Sequence, residues 1–217
     1  MADTDLFALL LVSGVTLGAV HTLAPDHWVP FAAVARAREW SPARTLRVTM
    51  LCGFGHVTSS VLLGLVGLAA GLELLLTFGR RMESISGILL IAFGLAYAAW
   101  ALRGKAGKHL HGHAHVHYDH VHDPSRATAW TLFLLFSADP CVAVIPILFA
   151  AAPLGAARTT AVVLAYEAAT IATMGLLVSI AHRGARRLRF SWLEHHGDLA
   201  AGAVIVLVGA VVTSLGW

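Results

Sequence analysis

The sequence predicts an all-α, polytopic membrane protein of six transmembrane helices, built as two inverted three-helix repeats with helices 1 and 4 broken. Three observations predict it. Hydrophobic residues make up 58% of the 217 residues and charged residues only 12%, about half the roughly 25% of a soluble domain. Mean hydropathy is +0.75. The apolar residues also fall in six runs, at 6–35, 48–70, 84–102, 129–152, 158–181 and 199–217. Each run can supply the about 20 helical residues that cross a bilayer, without the polar stripe of a helix on a soluble surface. Finally, polar and small landmarks recur. Arg47, His56 and Gly64 are followed 111 residues later by Arg158, Glu167 and Gly175. Pro25, Gly87 and Gly94 are followed 115 residues later by Pro140, Gly202 and Gly209. Three spans is an odd number, so the second half enters the membrane from the opposite side, as in an inverted-topology repeat.

The first run carries His21-Thr-Leu-Ala-Pro-Asp-His27. Pro25 has no N–H for the carbonyl of His21, so the helix is expected to kink or unwind there. Asp26 then stands at the start of a second half-helix, where a carboxylate is favoured. The second run carries Gly55-His56 with Thr58, Ser59 and Ser60 beside it. The third is regular apolar helix and closes the first repeat, residues 1–104. A connection at 105–127 holds seven of the thirteen histidines: His109, His111, His113, His115, His117, His120 and His122. The second repeat, 128–217, opens on a run containing Ser137-Ala-Asp-Pro-Cys141. There Asp139 reads as a helix N-cap and Pro140 as the first helical residue. The fifth run holds Glu167, and the sixth is apolar to the end.

Twelve of the fifteen Lys and Arg lie in the first, third and fifth connections. The positive-inside rule therefore places those loops in the cytoplasm and both termini outside, in the cell membrane of a bacterium, the inner one. The start, Met-Ala-Asp-Thr-Asp, lacks the basic n-region of a cleaved signal peptide, so the first helix is expected to be retained. The loops account for the net charge of +3, and no domain-wide basic face points to nucleic acid. Cys52 and Cys141 fall inside spans and form no secreted disulfide framework. No Gly-x4-Gly-Lys-Ser/Thr phosphate loop occurs, so neither ATPase activity nor any other enzymatic role is expected.

The polar residues inside the spans carry the functional expectation. A charged group at the bilayer centre costs about 2.5–3.5 kcal/mol on insertion scales, so several together imply a shared polar site. His21, Asp26, His27 and His56 are the expected metal ligands. Asp139, Cys141 and Glu167 complete or gate the site. Imidazole and carboxylate suit Ni²⁺, Co²⁺ or Zn²⁺ better than Ca²⁺ or Mg²⁺. The cation is expected as cargo, with no permanent cofactor. Alternating His-X-His spacing in the cytoplasmic loop sets imidazoles on one side of an extended chain, neutral near pH 7 and able to bind metal.

These residues resemble the nickel/cobalt transporter family in its broad sense, including six-helix urease-associated and efflux relatives. The resemblance rests on His-x4-Asp-His, met by His21, Asp26 and His27, and on Gly55-His56-Val-Thr-Ser-Ser60. It covers the first half of the chain. It implies a permease for Ni²⁺ or Co²⁺ in which those four residues recognise metal, with the lipid bilayer and a cytoplasmic metallochaperone as partners. Eight-helix members carry the first motif in their second helix, whereas it falls in the first helix here. Their later Asp/Thr/Glu signature is echoed only loosely by residues 137–141. Two other expectations compete. One is a thiol-disulfide conduit passing reductant through Cys52 and Cys141. The other is a metal-sensing accessory protein that relies on the loop histidines.

Overall fold

The computed structural model describes residues 3–70, 72–108, 124–139, 141, 143–187 and 191–215. All regular structure among them is helical: α1 (Asp3–His21), α2 (Val29–Ala37), α3 (Pro42–Ala70), α4 (Leu72–Lys108), α5 (Pro124–Ser137), α6 (Val144–Ala151), α7 (Ala156–Arg187) and α8 (Ser191–Leu215). Short 3-10 turns at Pro25–His27 and Ala152–Leu154 join some of them. The loop histidines His109 to His122, Pro140 and Trp217 lie outside the described residues.

Among the described residues, five helices are long and apolar enough to cross a membrane: Asp3–His21, Pro42–Ala69, Ile85–Arg103, Ala156–Arg187 and His196–Ser214. Their outer faces are bulky and apolar, with Val12, Phe54, Leu62, Val66 and Leu207 all exposed. A surface of this kind is covered by lipid rather than by water. The chain is thus a helical membrane protein.

Three departures from the expected spans each have a physical cause. The run at 6–35 divides after His21. The carbonyl of His21, which Pro25 cannot serve, accepts from Ala24 N–H at 3.1 Å, and His27 N–H closes the next turn on Ala24 at 3.2 Å. The run at 129–152 divides into α5 and α6, both shorter than a span. Asp139 is not the N-cap expected of it: α6 begins at Val144, and Ala143 holds the cap position without a side-chain bond. The amide of Cys141 instead donates to Ser60 Oγ of α3 at 2.6 Å, so a tertiary bond secures this break. Finally, α4 begins at Leu72 and runs through most of the connection expected between the second and third spans. The stretch Leu-Glu-Leu-Leu-Leu that opens it consists of good helix formers.

The backbones of α4 and α8 approach closely. A Cβ on Gly94 would stand 2.8 Å from the carbonyl oxygen of Gly202, and one on Gly209 would stand 2.7 Å from that of Gly87. Those contacts run in opposite chain order, so the two helices are antiparallel. By contrast, α1 meets α7 in the same order, Gly14 against Val162 and Gly18 against Tyr166, so that pair is parallel. Two packed clusters form the interior. One gathers Phe31, Val34, Cys52, Leu132, Phe136 and Ile205. The other gathers Leu10, Cys141, Val144, Ile145, Val162 and Tyr166.

Candidate metal centre

The break after α1 turns three polar side chains onto one another. His27 follows the 3-10 turn and lies edge-on to His21, with ring centroids 4.5 Å apart at 79°. Its other side meets His56 of α3, centroids 5.2 Å apart at 84°. On a continuous helix His21 and His27 would be about 600° apart in rotation, on different faces. The unwound segment removes that separation.

Hydrogen bonds then orient each ring. His27 Nδ1 lies 2.9 Å from Asp26 Oδ1, and an ionised carboxylate only accepts. His56 Nδ1 lies 3.3 Å from the carbonyl oxygen of Phe136, which also only accepts. Both Nδ1 atoms therefore carry the hydrogen. In the neutral imidazoles both Nε2 atoms then keep a lone pair, and each is buried with no hydrogen-bond partner among the described residues. A metal-ligating histidine has this arrangement, its second nitrogen donating to a carboxylate or backbone carbonyl.

Cys141 enters from the break between α5 and α6. Its Sγ lies 3.0 Å from His21 Nε2 and 2.8 Å from Tyr166 Oη of α7. One ligand atom each from His21, His56 and Cys141 lie within 4.8 Å of one another. His56 and Cys141 are buried, and His21 is partly exposed. Ser60 braces both sides of the group, since its hydroxyl donates to the His56 carbonyl at 2.6 Å while accepting from Cys141 N–H. Gly18 permits the approach of α7: a Cβ there would stand 2.7 Å from the carbonyl oxygen of Tyr166.

The residues singled out in the sequence are thus distributed unevenly. His21, His27 and His56 meet, and Asp26 holds His27. Asp139 lies within electrostatic range of His27. Cys141 stands inside the group. Glu167 is only half-buried and stands outside it. Cys52 and Cys141 are both free thiols and pack in different clusters. Sequence reasoning missed Tyr166 and the bracing role of Ser60. The only available signal for Tyr166 was its place beside Glu167, at the position equivalent to Gly55 in the repeat.

The fold and this group define a helical membrane protein with a buried imidazole–thiol cluster at paired helix breaks. No protein-family model, curated protein or solved structure matches the chain.

Proposed function

We propose that the chain is a secondary transporter or permease for a divalent transition-metal cation. Ni²⁺ and Co²⁺ are its first cargo class, with Zn²⁺ admitted by the same donor chemistry. The observation that carries this reading is the pair of buried, partnerless Nε2 atoms on His27 and His56. Leaving a buried polar group unsatisfied costs about 1–3 kcal/mol. Other buried polar atoms are unsatisfied too, among them both nitrogens of His182, but only these two open imidazole nitrogens among the described residues stand beside a third imidazole and a thiol, where their lone pairs can meet a cation. His21, His27 and His56 bind the ion, and Asp26 fixes the tautomer of His27. Asp139 adds negative charge nearby, and Glu167, outside the group, is assigned the gate.

What supports alternating access is the crossing of α4 and α8. Gly87 and Gly202 are equivalent in the sequence repeat, as are Gly94 and Gly209. The contacts are crossed, Gly87 with Gly209 and Gly94 with Gly202. Such reciprocity belongs to a two-fold relation between like parts. In this reading α5 and α6 together make the sixth crossing, both termini lie outside a bacterial inner membrane, and the two halves rock about the site. The loop histidines, His109 to His122, collect metal on the cytoplasmic side, where a metallochaperone exchanges it.

The test is metal flux in proteoliposomes. A His21→Ala/His27→Ala double variant loses flux, whereas a variant with all seven loop histidines replaced by Ser keeps it. Unchanged flux in the double variant would sink the site assignment.

A further inference from the structure

Resting on the metal-site reading but reordering its cargo, we infer that the Cys141 thiolate is itself a ligand, and that it tunes the site for a thiophilic, low-coordinate cation of the Zn²⁺ class over Ni²⁺. The donor set is the first ground. The three ligand atoms gathered within 4.8 Å come from His21, His56 and Cys141, whereas the Asp26 carboxylate is occupied by His27. Two imidazoles and a thiolate form a soft-to-borderline set, and His27, its ring centroid 4.5 Å from that of His21 and 5.2 Å from that of His56, offers a further buried nitrogen, Nε2. Mixed nitrogen and sulfur ligands in tetrahedral number select Zn²⁺, while Ni²⁺ favours square-planar or octahedral nitrogen and oxygen sets.

Distance is the second ground. Cys141 Sγ and His21 Nε2 stand 3.0 Å apart. Zinc bonds of about 2.3 Å to sulfur and about 2.0–2.1 Å to nitrogen, at a tetrahedral angle, separate the two ligands by about 3.6 Å. The pair therefore needs to open by roughly half an ångström. The His21–Cys141 hydrogen bond is what the cation would replace. On binding, the thiol proton leaves to bulk water and the sulfur takes the metal as its partner.

The third ground is the surroundings of the sulfur. Tyr166 Oη lies 2.8 Å away, and once the thiol proton has gone it donates to the thiolate. Ser60 holds the Cys141 amide from the other side. A cysteine that only filled space in the cluster of Leu10, Val144 and Ile145 would need neither.

Co²⁺ titration of the purified full-length protein in detergent tests this. Thiolate ligation gives a near-ultraviolet sulfur-to-cobalt charge-transfer band, and a tetrahedral site gives intense visible bands. The histidine loop can produce neither a sulfur band nor its loss. The expected result is a charge-transfer band in the wild type and in Cys52→Ser, absent in Cys141→Ser. Zn²⁺ should abolish the band at concentrations at least about tenfold below those Ni²⁺ requires, the scale on which ligand tuning acts. Tyr166→Phe should keep the band but weaken Co²⁺ binding. A band that survives Cys141→Ser, cobalt bound at the membrane site without any sulfur band, or Ni²⁺ displacing cobalt as well as Zn²⁺ does would overturn the inference and leave the metal-site reading standing. Equal cobalt stoichiometry in the wild type and a His21→Ala/His56→Ala variant would overturn both.

Discussion

Two polar clusters among the described residues, one part-buried and one buried, are finished to different degrees. At the first, Arg38 joins α2 to α4, α5 and α8. Its Nε donates to Tyr97 Oη at 2.8 Å and lies 3.4 Å from Asp198 Oδ1. Its terminal nitrogen reaches Thr128 Oγ1 at 3.5 Å. Tyr97 Oη in turn donates to Asp198 at 2.6 Å, and the guanidinium lies 4.2 Å from the centroid of Trp100. Each charged or hydroxyl group there has a partner of the complementary kind. At the second cluster His27 and His56 are oriented through Nδ1 and left open at Nε2. A satisfied network ties helices together, whereas an oriented but unsatisfied one is a place for a ligand. Composition alone would not separate the two.

The largest expected effect is on the satisfied side. Arg38→Ala strands Asp198 beside Tyr97 and removes the ring contacts. Breaking a buried pair costs about 3–5 kcal/mol, and the partial exposure of Asp198 places this case at the lower end. Thermal unfolding in detergent should register it as a clear fall in Tm, with metal affinity in the surviving folded fraction little changed. An equally stable variant would mean that the network is ornamental.

Next comes Asp26→Asn, which weakens the hold on His27 Nδ1. Replacing such an orienting partner reduces metal affinity by about 10- to 100-fold, read by equilibrium binding with the loop histidines replaced. Stability should move much less than in Arg38→Ala. If both variants changed stability alike and binding not at all, the contrast between the clusters would fail.

The smallest effect is expected from His56→Leu. It deletes an unsatisfied buried nitrogen together with the ring's 3.3 Å hydrogen bond to Phe136. These contributions oppose one another, each about 1 kcal/mol in scale, so apo-protein stability should stay within about 1 kcal/mol of wild type. The stabilisation conferred by added metal should disappear. A large loss of apo stability would place His56 with Arg38, as a structural residue.

The apolar spans were legible because length and hydropathy are properties of the chain itself, and they appear in α1, α3, α4, α7 and α8. The interruption at Pro25 was legible because a missing N–H is a local fact. The start of α6 was not, since the bond that secures Cys141 comes from Ser60, 81 residues away. Leu72 onward read as a connection, yet its residues favour helix and no Pro stops them. Arg38 read only as one of many loop cations. Its partners, Tyr97 and Asp198, lie 59 residues from it and 101 residues from each other, respectively. Histidines in the spans were visible as candidates, but which nitrogen stays open depends on Phe136 and Asp26, and so on packing.

The most direct measurement is X-ray absorption at the metal edge of the full-length protein, loaded with one equivalent of Zn²⁺ and with the seven loop histidines replaced by Ser. The account predicts retained metal with the outer-shell scattering of at least two imidazoles, lost in His21→Ala/His56→Ala. Metal that is not retained, or that shows an oxygen shell without imidazole scattering, would contradict it.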